Sequence, residues 1–295
     1  MSDLSRRRIL TVGAASLAAT VGATQIAQAQ TQKPATSTSE RANSKGQFAQ
    51  KVVLITGATS GIGMVTAKAF AREGAKVFFC GRRENLGAKV QAEIRKAGGD
   101  ATYMRADVRQ EKDVQAFVNG CVAKYGRLDI AFNNAGVDFP PNLIADTPTD
   151  EFDDLMNTNA RGVFLGMKYE IPQLLKVGGG AIVNMASIGG HRAFPNIVGY
   201  GASKAAVIHM STTAAQEYTG KNIRVNAIAP GAIDTAMLDR VERDWKVTKE
   251  QLVAEYPIKR VGKPEEVAAA VLWLASNEAS YISGTLLDID GGGLG

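Results

Sequence analysis

From residue 50 onward the chain alternates short apolar runs with longer segments in which apolar positions recur every three or four residues. The first run, Lys51-Val52-Val53-Leu54-Ile55, is unbroken and rich in β-branched residues, as a strand buried on both faces requires. Similar runs predict strands at 75–80, 101–106, 128–133, 180–186, 223–229 and 285–289. The segments between them predict helices, among them 64–73 and 112–125. Strands that alternate with helices imply an α/β fold: one single-domain, doubly wound parallel sheet of about seven strands, covered on both faces. Such sheets take up ligands beyond the carboxyl ends of their strands. The longest irregular stretch, about 232–261, is expected to hang over that edge as a substrate lid.

The first 45 residues lack this pattern. Arg6, Arg7 and Arg8 precede Ile9 and Leu10, then a weakly apolar stretch rich in Ala, Gly and Thr ends in Ala27-Gln28-Ala29. This is the form of a twin-arginine export signal with a small-residue cleavage site, which predicts a periplasmic protein, or a cytoplasmic one if the leader is not a functional signal. Its hydrophobicity is too gentle for a permanent membrane span. The expected organisation is a signal at 1–29, a polar tether at 30–48 and a catalytic domain at 49–295.

Composition narrows the function classes. A hydrophobic content of 45% is ample for one buried core. The net charge of +5 is modest and its carriers are interspersed beyond the leader, which gives no support to nucleic-acid binding. Two cysteines, Cys80 and Cys121, fall in apolar elements and read as small core residues. With only His191 and His209 besides, no metal-ligand spacing exists, and no metal site is expected.

Two motifs carry chemistry. Thr56-Gly57-Ala58-Thr59-Ser60-Gly61-Ile62-Gly63 stands between the first strand and a helix, the context in which a glycine turn cradles a dinucleotide. Gly57 permits the tight turn, Gly61 lets backbone approach the pyrophosphate and Gly63 lets the helix pack closely. Thr59, Ser60 and Ile62 fill the turn, and the helix N-terminus offers N–H groups to the phosphates. Downstream, Tyr200 and Lys204 lie one helical turn apart and share a face. An ammonium beside a phenol is expected to lower its pKa and turn the tyrosine into a usable acid/base.

These motifs, T-G-x-x-x-G-I-G and Tyr-x-x-x-Lys, together with further segments in the right order, resemble the short-chain dehydrogenase/reductase family from about Gly46 to the C-terminus. The resemblance implies that Asp107 and Val108 hold an adenine ring. It implies that Asn133, Ala135 and Gly136 brace the sheet beside the cofactor, and that Pro230, Gly231, Ile233 and Thr235 grip the nicotinamide amide. Asn159, Ser187, Tyr200 and Lys204 match the catalytic positions without departure. In that reading Tyr200 carries the proton and Ser187 places the substrate oxygen. Lys204 lowers the tyrosine pKa and binds the nicotinamide ribose, and Asn159 anchors a proton-relaying water. The resemblance also implies a homotetramer paired through 151–177 and 200–219, where Phe164, Leu165, Ile208 and Met210 exceed what one core-facing stripe needs.

Cofactor choice is read at the end of the second strand, where an acid binds the NAD ribose and an arginine accommodates the NADP phosphate. Val77-Phe78-Phe79-Cys80-Gly81-Arg82-Arg83 has no acid there. Arg82 is the expected phosphate ligand and Arg83 a second one or a solvated loop residue, so NADP is favoured over NAD. Phe139, His191, Phe194, Met237 and Trp245 are expected to line the substrate pocket, which suits an aliphatic or alicyclic ketone or secondary alcohol and leaves sugars and steroids open. Two other readings are a non-catalytic dinucleotide-binding module and a serine hydrolase. The hydrolase needs G-x-S-x-G, and Gly201-Ala202-Ser203-Lys204-Ala205 lacks its final glycine.

Overall fold

The apolar run after the tether forms β1 (Val52–Ile55), every residue of it buried. It is followed by α1 (Gly61–Arg72), β2 (Lys76–Gly81), α2 (Glu84–Lys96), β3 (Asp100–Arg105), α3 (Glu111–Tyr125) and β4 (Ile130–Asn133). The second half adds α4 (Thr149–Leu155), α5 (Gly162–Lys176), β5 (Gly180–Met185), α6 (Val198–Tyr218), β6 (Ile223–Pro230), α7 (Ala236–Trp245), α8 (Lys249–Leu252), α9 (Pro264–Ala275) and β7 (Leu286–Ile289). This computed structural model describes residues 46–254 and 256–293. The expected signal at 1–29 and all but the end of the tether lie outside the described residues.

All seven strands run parallel in the order β3-β2-β1-β4-β5-β6-β7. The chain starts at the middle, winds outward through β3 and then returns to β4 to wind the other way. That reversal between β1 and β4 opens a crevice at the carboxyl edge. Alternate strand residues feed two apolar cores, one on each face of the sheet. Ile55, Phe70, Phe79 and Val267 pack on the side of α1 and α9, and Phe78, Phe117, Ile182 and Val207 on the side of α3, α5 and α6.

Four differences from the sequence reading have physical causes. The folded unit begins before residue 49, because Phe48 is buried edge-on against Phe70 with ring centroids 4.9 Å apart. The first helix starts at Gly61 rather than 64, because the glycine turn closes directly into it. The stretch 232–261 is not irregular throughout: it carries α7, capped by Thr235, and α8, with a capping box between Thr248 and Gln251. Of the apolar residues expected at an assembly face, Leu165 belongs to the core with Val108 and Val114. Ile208 and Met210 pack half-buried against the core, and Phe164 alone of the four stands exposed.

Candidate active site

Six of the segments singled out in the sequence lie at the carboxyl edge of the sheet. The glycine turn follows β1, Arg82 and Arg83 follow β2, Asp107 and Val108 follow β3, and Asn133 to Gly136 close β4. Ser187 follows β5, and Pro230 to Thr235 lead from β6 into α7.

The glycine turn is fastened to β4. Thr56 Oγ1 accepts from Asn134 N and Ala135 N at 3.0 and 3.1 Å, and Asn134 Nδ2 donates to the Thr56 and Gly57 carbonyls at 3.0 and 3.1 Å. Gly57 has φ 69°, and a β-carbon there would stand 2.6 Å from Ala135 Cα. One on Gly63 would meet Asn134 Nδ2 at 2.4 Å, so α1 approaches the sheet as closely as the turn demands. Ser60 leaves the α1 N-terminus without a side-chain cap. Unclaimed N–H groups there, beside backbone that nothing but glycine fits, suit the diphosphate of a dinucleotide.

Arg83, rather than Arg82, reaches this turn. Its Nη2 donates to Thr59 Oγ1 at 3.1 Å and to Ser60 Oγ at 2.7 Å. Arg82 lies close enough to Asp107 to help hold that carboxyl ionised. Burial works to raise the Asp107 pKa, but the Arg109 guanidinium outweighs it and the net direction is down. Arg109 Nε and Nη2 clasp the carboxylate at 3.0 and 2.6 Å. Asp107 is therefore already claimed by Arg109, a tie that no motif announced.

The four polar residues of the second motif set converge around Gly136 and the end of β5. Asn159 sits in a π-helical turn, Met156–Arg161, that joins α4 to α5. The wider turn rotates its amide inward, where Oδ1 accepts from Val137 N at 2.8 Å and Nδ2 donates to Val137 O at 3.0 Å. Nδ2 also reaches Ser203 Oγ at 3.1 Å, tying this turn to α6. A β-carbon on Gly136 would stand 3.2 Å from Asn159 Oδ1 and 3.5 Å from Lys204 Nζ, which places amide and ammonium on the same small hollow.

Lys204 is buried, its Nζ donating to Met185 O at 2.9 Å, and burial lowers its pKa to about 8. Tyr200 behaves differently from the sequence expectation. Its pKa is raised: burial dominates, the Ser187 hydroxyl opposes it by hydrogen bonding, and the Asp138 carboxylate adds to it. Lys204 Nζ stands 5.7 Å from the tyrosine ring centroid and does not reverse that direction. Ser187 caps a short 3₁₀ turn, Ile188–Gly190, its Oγ accepting from Gly189 N at 3.2 Å.

Phe139 shares a shallow hollow with Leu155, Ile197 and Tyr200, in the region expected to take substrate. His191 is directed elsewhere, with Nε2 3.1 Å from Asp288 Oδ1 on β7. Among the described residues, no group of three or more His, Cys, Asp or Glu could hold a metal ion, and no helix is long and apolar enough to cross a membrane.

Residues 57–293 match the family model described as Enoyl-(Acyl carrier protein) reductase. The chain is 40% identical over 243 residues to a 3-oxoacyl-[acyl-carrier-protein] reductase of Thermotoga maritima, covering 82% of this chain and 97% of that protein. It is 39% identical over 245 residues to a cyclohexanol dehydrogenase of an Acinetobacter strain, covering 83% and 95%. A 7α-hydroxysteroid dehydrogenase solved with NADH and 7-oxo glycochenodeoxycholic acid superposes with a TM-score of 0.79 at 35% identity, covering 84% and 96%. Sequence, sheet order and site geometry agree: the chain belongs to the short-chain dehydrogenases/reductases, oxidoreductases that act on CH–OH groups.

Proposed function

We propose that this protein is an NADP-linked oxidoreductase that interconverts a secondary alcohol and a ketone, with Tyr200 as the acid/base. One observation carries the reading: Ser187, Tyr200, Lys204 and Asn159 meet at the edge of the same crevice that the glycine turn opens onto. Bound in that crevice, the nicotinamide supplies or accepts the hydride.

The chain's own part is to bind, place and protonate. The α1 N-terminus and the Gly57–Gly63 turn receive the diphosphate, and Thr235 faces that turn from the opposite wall, 3.5 Å from where a Gly61 β-carbon would stand. Ser187 Oγ, beside the phenol, holds the substrate oxygen. Tyr200 keeps its proton at neutral pH because burial disfavours the phenolate, so it is set to donate to a carbonyl oxygen as reduction proceeds. In the reverse direction the same oxygen takes the proton from an alcohol. Lys204 presents a partly titratable ammonium to the ribose side, and Asn159 fixes the wall behind it.

Absence of an acid at Gly81 and the two guanidinium groups after it support NADP. The apolar side chains of Phe139, Leu155 and Ile197 near Tyr200 support an aliphatic or alicyclic substrate. Tyr200→Phe keeps the ring and removes the proton, so turnover of a ketone panel with NADPH is expected to fall by at least about 100-fold while NADPH affinity holds. Turnover within tenfold of wild type would remove Tyr200 from the acid/base role.

A further inference from the structure

Residues 236–253 are tied to one another by polar contacts, and only Leu238 and Val253 among them are buried. Lys249 Nζ lies 2.6 Å from Asp234 Oδ1 and 3.3 Å from Asp239 Oδ1, and Lys249 N donates to Glu242 Oε1 at 2.9 Å, which folds α8 back onto α7. Neither helix packs extensively on another helix or strand. Among the described residues, one hydrogen-bonded ion pair joins 236–253 to anything outside 232–262: Arg240 Nη2 donates to Asp138 Oδ1.

The two partners stand on opposite walls. Arg240 is one turn into α7, the helix that starts from Thr235 beside the glycine turn. Asp138 follows Val137, whose N–H and carbonyl are both gripped by Asn159, so its backbone is rigid. Its side chain is only 14% exposed, against 44% for Arg240. A carboxylate with so little water needs a fixed partner. The same carboxylate is the charged group that works against ionisation of Tyr200.

We propose that Asp138 and Arg240 form the latch of the α7–α8 lid: while the pair holds, the lid spans the crevice beside Tyr200, and when it opens, ligands exchange. Both are positioning residues. Latching also neutralises a negative charge that faces the phenol. The other polar groups around that phenol are Ser187, from the end of β5, and Lys204, one turn along α6. The kinetic half of this inference rests on the oxidoreductase reading.

The test is amide hydrogen exchange in 236–245, with pH–rate profiles of alcohol oxidation, for wild type, Arg240→Ala, Asp138→Asn and the double variant. Loss of one partly exposed ion pair is expected to raise exchange in α7 about fivefold in each single variant, with no further rise in the double. The two charges act oppositely on Tyr200. The midpoint of the profile is therefore expected at higher pH in Arg240→Ala, where Asp138 stands uncompensated, and at lower pH in Asp138→Asn. Unchanged α7 exchange in both single variants would overturn the latch. Midpoints that move together would overturn its link to Tyr200. Exchange needs no substrate, so a chain that turned over no alcohol would fail the oxidoreductase reading and leave the exchange result to judge the latch.

Discussion

Arg83 spans Thr59 and Ser60 from the end of β2, so one guanidinium braces the glycine turn, and in the proposed NADP reading the same group would meet the adenosine 2′-phosphate. Paired, charge-assisted bonds to a 2′-phosphate contribute about 1.5–3 kcal/mol, or about 10- to 150-fold in affinity. Arg83→Ala is expected to weaken NADP by that factor and NAD by less, through the loosened turn, while Arg82→Ala weakens NADP by less and leaves NAD nearly unchanged. Dissociation constants for both cofactors on wild type, the two single variants and the double variant decide it, and tighter NAD than NADP binding by wild type would reverse the assignment. Placing an acid at Gly81 is not a clean switch toward NAD, because a β-carbon there comes within 2.6 Å of Thr59 Cγ2 and disturbs a partner of Arg83. At this scale the sequence told that two arginines stand where an acid would otherwise be. It did not tell which one folds back, since that depends on the backbone at Arg83, the extended residue just before α2.

β4, β5, α5 and α6 are joined beneath the site by a buried polar chain. Asn133 Nδ2 donates to Glu170 Oε2 and to Asn184 Oδ1, each at 3.0 Å, and Asn184 Nδ2 donates to Ser211 Oγ at 2.9 Å. Asn133 Oδ1, facing Gly166, finds no partner among the described residues. Burial raises the Glu170 pKa from 4.5 to about 7, with the Asn133 hydrogen bond opposing it. Between those values the folded protein holds a proton that the unfolded chain does not. Glu170 therefore adds stability that is full below about 4.5 and lost as the pH rises through about 7. Burial also pushes the neighbouring Cys80 and Cys121 thiols up to about 12, so they stay neutral, and Lys204 titrates only from about 8. Glu170→Gln is expected to flatten the loss of stability between pH 5 and 7.5 and to be more stable than wild type at the upper end by roughly 2–3 kcal/mol, read by urea unfolding. An unchanged slope would show that the carboxyl ionises without cost.

Elements differed in how plainly the sequence announced them. The inner strands, buried on both faces, write apolar runs, and all seven strands, including the half-exposed edge strands β3 and β7, were legible to within about two residues. Glu170 sits in a segment whose apolar pattern is strong enough to hide one carboxyl. The π turn at Met156–Arg161 depends on one extra residue per turn, which periodicity does not reveal, so Asn159 was found by its motif alone. α7 does carry an apolar stripe, Met237, Leu238, Val241 and Trp245, but it is short and interleaved with charges, so it reads as loop, and Leu238 is its one buried residue. Asp138 and Arg240 lie 102 residues apart and follow no spacing rule.

For the whole molecule, the homotetramer implied by family resemblance has less apolar surface to use than the sequence suggested. Phe164, 50% exposed, and Leu175, 40% exposed, are what α5 offers. Light scattering is expected to give a tetramer for wild type and smaller species for Phe164→Asp, since a carboxylate at an apolar contact loses its hydration. A monomeric wild type at working concentration would rule this out.

The central position of β1 also bears on how the protein is made. Its two neighbours are β2, synthesised at once, and β4, which is not complete until residue 133. Any sheet that β3, β2 and β1 formed before then would present unpaired N–H and carbonyl groups along the apolar edge of β1. A ribosome adding about 5–20 residues per second leaves that edge bare for seconds. A chain released during that interval is expected to be an adhesive fragment rather than a smaller domain. Translation must carry past β4 before the nascent protein is safe from its neighbours.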